Sequence, residues 1–445
     1  MAVEFLYDDA YITLASAEAL LRGADPHYPD ATALTGITSP FHVVLTALLA
    51  ALLPGPTALV AGCLMGGAVY AAGIAQVARH AGLLPRHQFA LVVAGLGTGM
   101  VSHHFVNGLE TSWAMAAIIW SWHFATSSRR MALAITCGVL PFVRPELGLW
   151  ALVLAARDIR KHRTARVWGF AALSALPWLV LAWSYTGLVW PTTLAAKRDW
   201  YAEGCWTIAE RVRTVGSGLG LWLFISAGLL PGIVGLTRSA VGRLALGTAA
   251  VMIVVWASQL PSLLYGYHRH RYYAPLLAFM VAGYCSLPDP WRRRLCWVTA
   301  SAALVTTSPI LSHEPGRIAV AVRDRQDVVA VLDHARAERV IIHDAGYLAW
   351  ADAAPVFIDM VGLKTRAAAA LNRELTGPTC GARRPEALDR LARDTRATHV
   401  LTWEPWDQAF GVTSGLAARG WRVVESGRTS SVEPIILYAL EPPPE

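Results

Sequence analysis

The chain has 445 residues, of which 55% are hydrophobic and only 16% charged, and its formal net charge is +7. Soluble globular proteins carry about 25% charged residues, so an ordinary soluble protein is excluded, and the mean hydropathy of +0.41 agrees. A positive balance can mark a nucleic-acid partner. Here the basic residues sit in short loops between apolar runs, as the positive-inside rule requires, so no nucleic acid is expected.

Residues 41–312 alternate long apolar runs with short basic clusters, while residues 313–445 have ordinary soluble composition. The expected fold is an α-helical polytopic membrane protein of about ten membrane helices, including a broken hairpin, followed by a C-terminal soluble α/β domain. The expected domains are therefore a membrane module over 1–312, with an outer loop at 1–40, and a tail over 313–445.

In chain order, Met1 to Leu6 is too short for a signal peptide or a span. Asp8-Asp9 precedes an amphipathic stretch (Ile12, Ala15, Ala19, Leu20) suited to lying along a membrane surface. Adjacent carboxylates repel each other, which can raise one pKa and make a base near neutral pH. They can equally serve to cap and solvate the following helix. Asp9 begins that stretch, and Asp8, just ahead of it, is the freer of the two to face a cavity.

Residues 41–53 predict a short interfacial helix ending at Pro54-Gly55-Pro56. A span needs about 20 apolar residues. Runs near that length fall at 57–78, 88–103, 109–126, 167–187, 218–237, 244–264, 272–288 and 295–312. The segment 131–156 is interrupted by Arg144-Pro145-Glu146 and predicts the broken hairpin.

The clusters Arg79 to Arg86, Arg129-Arg130, Arg157 to Arg166, Arg238 to Arg243 and Arg292 to Arg294 all fall on one side of a single alternation, taken as cytoplasmic. Loops 1–40, 104–108, 188–217 and 265–271, and the tail, then lie outside. His268-Arg269-His270-Arg271 breaks the charge rule on that outer face, which suggests a functional need for positive charge. A lipid headgroup anchor is the alternative.

Other charges reach the same face. Glu110 sits at the outer mouth of an apolar run, where a helix N-terminus also explains it. Arg144 and Glu146 interrupt an apolar segment, where charge is costly and often functional, although mutual pairing at a hairpin tip is an equal reading. Lys197 follows Trp190-Pro191-Thr192-Thr193 in a long outer loop, where a snorkelling lysine is the plain alternative. Lysine and arginine together can hold a phosphate as a point charge and a bidentate fork. Acids and bases thus converge from distant loops on the face that carries the soluble tail.

The tail reads as alternating elements: helix near 325–336, strands at Val340-Ile341-Ile342 and Val356 to Asp359, helices near 366–375 and 384–394, a strand at Val400 to Trp403, a helix near 410–419, and strands near 421–425 and 434–439. This alternation predicts a mostly parallel sheet. No GxGxxG or P-loop spacing occurs, so no nucleotide site is expected. Cys63, Cys137, Cys285 and Cys296 read as buried small hydrophobes. Cys205 and Cys380 both fall outside the membrane, which leaves a disulfide and two free thiols open.

Several short motifs occur in a telling order: Tyr7-Asp8-Asp9-Ala10-Tyr11-Ile12-Thr13, Thr38-Ser39-Pro40, Gly108-Leu109-Glu110-Thr111, Arg144-Pro145-Glu146, Pro191-Thr192-Thr193 with Lys197, Arg271-Tyr272-Tyr273-Ala274-Pro275, and Asp344-Ala345-Gly346-Tyr347 with Asp359 and Gly362-Leu363. From residue 7 to about 363 the chain resembles the GT-C glycosyltransferases that use polyprenyl-phosphate sugars, and within them the actinobacterial arabinofuranosyltransferases of the cell wall. The resemblance implies transfer of a sugar, arabinofuranose above all, from a polyprenyl-phosphate donor to an extracytoplasmic glycan acceptor, by an inverting enzyme of the plasma membrane. It implies Asp8 or Asp9 as catalytic base and Arg144, Lys197 and Arg271 as donor-phosphate ligands; charge placement adds Arg269 as a donor-phosphate candidate and Glu110, Glu146, His268 and Tyr272 as candidate substrate contacts. Some GT-C enzymes need a divalent metal; no metal motif is present, and no cofactor is assigned. The family carries a membrane helix directly before the Asp-Asp loop, and this sequence starts six residues ahead of Tyr7, so either a first helix is missing or the protein lacks it. A transporter or flippase of lipid-linked sugars would also want buried charge, but predicts internal repeats, and none is convincing. A non-catalytic membrane scaffold leaves Arg144 unexplained.

Overall fold

In the computed structural model, residues 6–265, 270–351, 355–431 and 433–443 are described, with side chains throughout except 306–325. The first helix, Asp8–Arg22, carries both aspartates in its opening turn and stops at Gly23, whose φ of 83° provides the left-handed C-cap. It packs on both sides rather than presenting one free polar face. Ile12 and Ala15 are buried in the tail's core, whereas Ala10, Tyr11 and Leu14 pack on Leu59 and Val60 of the bundle. The many small residues on this helix let two layers close on it at once, so it is sandwiched between bundle and tail.

The helix Pro40–Ala50 forms as expected, with Ser39 Oγ accepting from the His42 amide and proline at the first helical position. The bundle then continues through Gly55–His80, Pro85–Gly97, Thr111–Thr126, Arg130–Val143, Leu147–His162, Gly169–Thr186, Ile208–Ile225, Pro231–Thr237, Ala240–Gln259 and Ala274–Tyr284. The break at Arg144-Pro145-Glu146 is where the sequence puts it. Helix Gly169–Thr186 leaves Phe170, Leu173, Leu176, Val180 and Trp183 exposed. An uncovered apolar face of that extent calls for lipid.

Among the described residues, three helices are long and apolar enough to cross a membrane alone: Gly55–His80, Arg166–Thr186 and Ala240–Gln259. A fourth span is possible if Ile208–Ile225 and Ala227–Thr237 act together across their 76° bend. The expected count of about ten spans is not confirmed. The run read as one span at 218–237 contains that bend, and Pro40–Ala50, Arg130–Val143 and Ala274–Tyr284 are apolar but short. Hydropathy registers an apolar run whether or not the helix within it is continuous.

A helix of 47 residues, Asp289–Ala335, leads from the bundle into the tail. The tail sheet has strands β1 (Arg339–Ile342), β2 (Val356–Asp359), β3 (His399–Trp403), β4 (Arg422–Arg428) and β5 (Ile435–Glu441), in spatial order β2-β1-β3-β5-β4. All five occur where the sequence predicts strands. Only half the sheet is parallel, however: β1 pairs with β2 and β3 in parallel, while β5 runs antiparallel to both β3 and β4. The short β4–β5 connection explains this, because a parallel crossover needs a dozen or more residues. A disulfide joins Cys205, between the helices Thr193–Tyr201 and Ile208–Ile225, to Cys380 in the tail. Cys63, Cys137, Cys285 and Cys296 are free and buried.

Candidate functional site

The two aspartates point to different neighbours. Asp8 turns to the tail, where its carboxylate oxygens accept from the Gly346 amide at 3.0 Å and the Tyr347 amide at 2.8 Å. The approach is close: a Cβ on Gly346 would sit 2.0 Å from the Asp8 carbonyl oxygen, so only glycine fits. Asp9 turns the other way, its Oδ2 3.3 Å from Arg271 Nη1 and 3.6 Å from Lys197 Nζ. The expectation that Asp8 is the freer carboxylate is thus reversed in orientation.

Arg271 links this pair to a second carboxylate. Its Nη2 donates to both oxygens of Glu110, at 2.7 and 2.8 Å, deep in the protein. Glu110 is brought there by the tight turn at Gly108, whose φ is +80° and where a Cβ would meet the Ala10 methyl at 2.5 Å. His42, not singled out from the sequence, supports the same turn with Nε2 3.0 Å from the Gly108 carbonyl oxygen. A lone histidine on an apolar helix carries no sequence signal of such a role.

Arg144, 1% exposed, completes the cluster from the broken hairpin. Its Nε lies 2.5 Å from Glu146 Oε1, its Nη1 lies 3.7 Å from Glu110 Oε1, and its guanidinium is 4.9 Å from the centre of the Tyr272 ring. Yet Arg144 Nε and Nη1, like Arg271 Nε, make no hydrogen bond of acceptable geometry. Buried donors in this state are uncommon and call for a reason. For Lys197, in the helix Thr193–Tyr201, burial acts to lower the pKa, but the Asp9 carboxylate together with Tyr272 and Tyr201 outweighs it and raises the value. Its ammonium is therefore firmly charged.

Asp9, Glu110, Arg144, Glu146, Lys197, Arg271 and Tyr272 are thus brought into one cluster from five separate stretches of sequence, with Asp8 on its tail side. His268 and Arg269 lie outside the described residues. Among the described residues no group of three or more His, Cys, Asp or Glu side chains is arranged as a metal site.

Beside the cluster lies a cavity of about 1020 Å³ with largely apolar walls. Leu149, Leu152, Leu179 and Val255 line its bundle side, and Leu363, Arg366 and Arg373 its tail side. Glu146 of the charged cluster and Pro191-Thr192, just ahead of the Lys197 helix, are also in its wall.

No family model and no curated protein matches the sequence. The fold, however, is shared with two crystal structures of ArnT from Cupriavidus metallidurans, one in the apo state and one bound to undecaprenyl phosphate, each with a TM-score of 0.60. The chain has the ArnT fold. Identity is 13% to the apo structure, over 97% of this chain and 93% of that one, and 12% to the bound structure, over 98% and 95%. The shared architecture therefore includes both bundle and tail.

Proposed function

We propose that this protein is an inverting membrane glycosyltransferase that moves a sugar from a polyprenyl-phosphate donor to an extracytoplasmic glycan acceptor. Arabinofuranose is the sugar implied by the motif resemblance. The observation that carries the reading is the meeting of Asp9 with Lys197 and Arg271 in a charged cluster whose Glu146 lines a large, mostly apolar cavity. Support also comes from the fold, which is that of a protein crystallised with undecaprenyl phosphate.

The polyprenyl chain would lie in the 1020 Å³ cavity, where each buried CH₂ is worth about 0.8 kcal/mol. Its phosphate would reach the cluster and take up the spare donors of Arg144 and Arg271 together with Lys197. That phosphate also competes with Asp9 for the same cations, so donor binding frees Asp9. In the reaction, an acceptor hydroxyl oxygen forms a bond to the anomeric carbon as the bond from that carbon to the phosphate oxygen breaks. The electron pair leaves on the phosphate, where the three cations stabilise it. The hydroxyl proton passes to Asp9 as general base. Glu110 holds Arg271 in place, and Tyr272 offers its ring face to Arg144.

The membrane module, over 1–312, does the chemistry in this account, and the tail, over 313–445, binds the acceptor. Both the tail and the cluster face outward from the plasma membrane. The Cys205–Cys380 disulfide supports that side, since disulfides persist in oxidising compartments.

The test uses purified protein in proteoliposomes with a panel of polyprenyl-phosphoryl sugars, including arabinofuranose, and a mixture of oligosaccharide acceptors. Transfer should release polyprenyl phosphate in equal amount to glycan product, and a donor shortened to one isoprene unit should lose at least tenfold in kcat/KM. Absence of transfer from every sugar, or indifference to chain length, removes the reading.

A further inference from the structure

A second, smaller cavity of about 320 Å³ lies at the C-terminal end of helix Asp8–Arg22, against the tail. Its wall comes from Glu18 and Arg22 on that helix, Asp25 and His27 just after it, and Trp350 of the tail, and is mostly polar. Its volume is in the range of small-molecule pockets, about 300–1,000 Å³. None of these five residues belongs to the charged cluster around Asp9.

Asp25 is the informative residue. It is 5% exposed. Its Oδ1 accepts from the amides of His27 at 3.1 Å and Tyr28 at 3.3 Å, which ties the turn after the helix. Its Oδ2 is buried and has no hydrogen-bond partner, and the residue lies in the wall of the cavity. A buried carboxylate oxygen without a donor is costly, and the turn accounts only for its neighbour. Around it, Glu18 and Arg22 form a loose pair at 3.4 Å that leaves most of the guanidinium exposed. His27 spends Nδ1 on the Pro355 carbonyl at 3.3 Å, leaving Nε2 for a ligand. Half-buried Trp350 supplies an aromatic wall, with its ring centre 5.3 Å from that of Tyr11.

Carboxylates that need O–H donors, a histidine and an arginine that can meet hydroxyl oxygens, and an indole for an apolar ring face together fit a sugar. The mixture of acids with one arginine argues against an anionic ligand. The position also fits. Nine residues of helix separate Asp9 from Glu18, about 13 Å, a span of a few sugar rings along a glycan. The same four-residue helix, Tyr347–Trp350, holds Asp8 through its first amide and lines this cavity with its last side chain.

We propose that this cavity is a remote subsite for a neutral sugar of the acceptor glycan, bound by Asp25, Glu18, His27 and Trp350 while the reactive hydroxyl lies at Asp9. The assignment rests on the transferase reading for its purpose but not for its chemistry, so the two are tested apart. Full-length protein in detergent is applied to immobilised neutral oligosaccharides of two to eight units and to matched sulfated ones. A neutral oligosaccharide of more than two units should be retained. Retention should fall at least tenfold in Asp25→Asn, which keeps Oδ1 for the turn, and in Glu18→Gln, with melting temperature unchanged. In transfer assays the same variants should raise the acceptor KM at least tenfold and leave kcat and donor KM within twofold. No retention of any neutral glycan, retention of sulfated glycans alone, or neutral binding unmoved by both substitutions would overturn the subsite. Neutral binding that the variants abolish, in a protein that transfers no sugar, would support the subsite and remove the transferase. Transfer with an acceptor KM unmoved by either variant would do the reverse.

Discussion

Asp9 Oδ2 lies 3.3 Å from Arg271 Nη1 across 262 residues of sequence, and the other arm of that guanidinium holds Glu110. One arginine therefore carries two jobs: it compensates a buried carboxylate and it faces the aspartate proposed as the general base. The two jobs separate by mutation.

Glu110→Gln or Arg271→Gln should each destabilise the protein by about 3–5 kcal/mol, because each leaves a buried charge without its partner. The double variant Glu110→Leu/Arg271→Met should recover most of that loss, since a well-packed apolar pair of similar volume replaces a buried ion pair at little cost. It should not recover transfer. Thermal unfolding in detergent, paired with turnover, checks both halves.

Asp8 should behave as a docking residue. Asp8→Asn weakens charge-assisted hydrogen bonds to the Gly346 and Tyr347 amides, and should cost about 2 kcal/mol. The loss should appear as faster proteolysis of the tail, with single-turnover chemistry within tenfold of the unmodified protein. Gly346→Ala, where no Cβ fits, should give the same proteolytic pattern more strongly.

The Cys205–Cys380 bridge closes a loop across 175 residues of sequence. Replacing both cysteines with serine should lower stability by about 2–4 kcal/mol. In intact cells, a membrane-impermeant maleimide should label the protein only after mild reduction. Labelling by that reagent without reduction would place free thiols outside, and absence of labelling after reduction would put the tail on the other side.

Lys364, in the tail, donates from Nζ to Ser16 Oγ at 2.7 Å, and burial lowers its pKa to about 8. In the unfolded chain it titrates near the ordinary lysine value of about 10.4. Between those values the unfolded state binds more protons, so this group's contribution to stability rises with pH. The penalty is full below pH 8 and relieved as pH climbs toward about 10, by about 3 kcal/mol. The stability of the unmodified protein relative to Lys364→Met should therefore rise over that window. A flat or falling difference would show that the lysine is solvated in the native state.

The sequence makes some of this legible and hides the rest for definite reasons. Arg144-Pro145-Glu146 reads as a break because charge and proline together cannot continue an apolar helix, and the structure ends one helix at Val143 and starts the next at Leu147. Strands β1, β2, β3 and β5 are legible because each holds a short apolar run, whereas β4 shows only the Val423-Val424 pair. The meeting of charges from distant loops is legible because Arg144, Glu146, Lys197 and Arg271 each interrupt or border an apolar run, where charge is costly. What stays hidden is long-range pairing: nothing local tells that Asp8 belongs to amides 338 residues away, or that Asp9 instead meets Lys197 and Arg271. The 76° bend after Ile225 is likewise hidden, since composition stays apolar through it. Lys364 and Asp25 give no signal because burial of a single charge leaves no periodicity.

The central claim is that Asp9 removes the acceptor proton while the neighbouring cations hold the departing phosphate. The most direct measurement is single-turnover transfer from a radiolabelled polyprenyl-phosphoryl sugar to an oligosaccharide in proteoliposomes, comparing the unmodified protein with Asp9→Asn. The account predicts glycan product of inverted anomeric configuration, and a rate for Asp9→Asn lower by about 10²–10⁴-fold with donor binding intact or tighter. Equal rates for the two proteins, or product that retains the donor configuration, would contradict it.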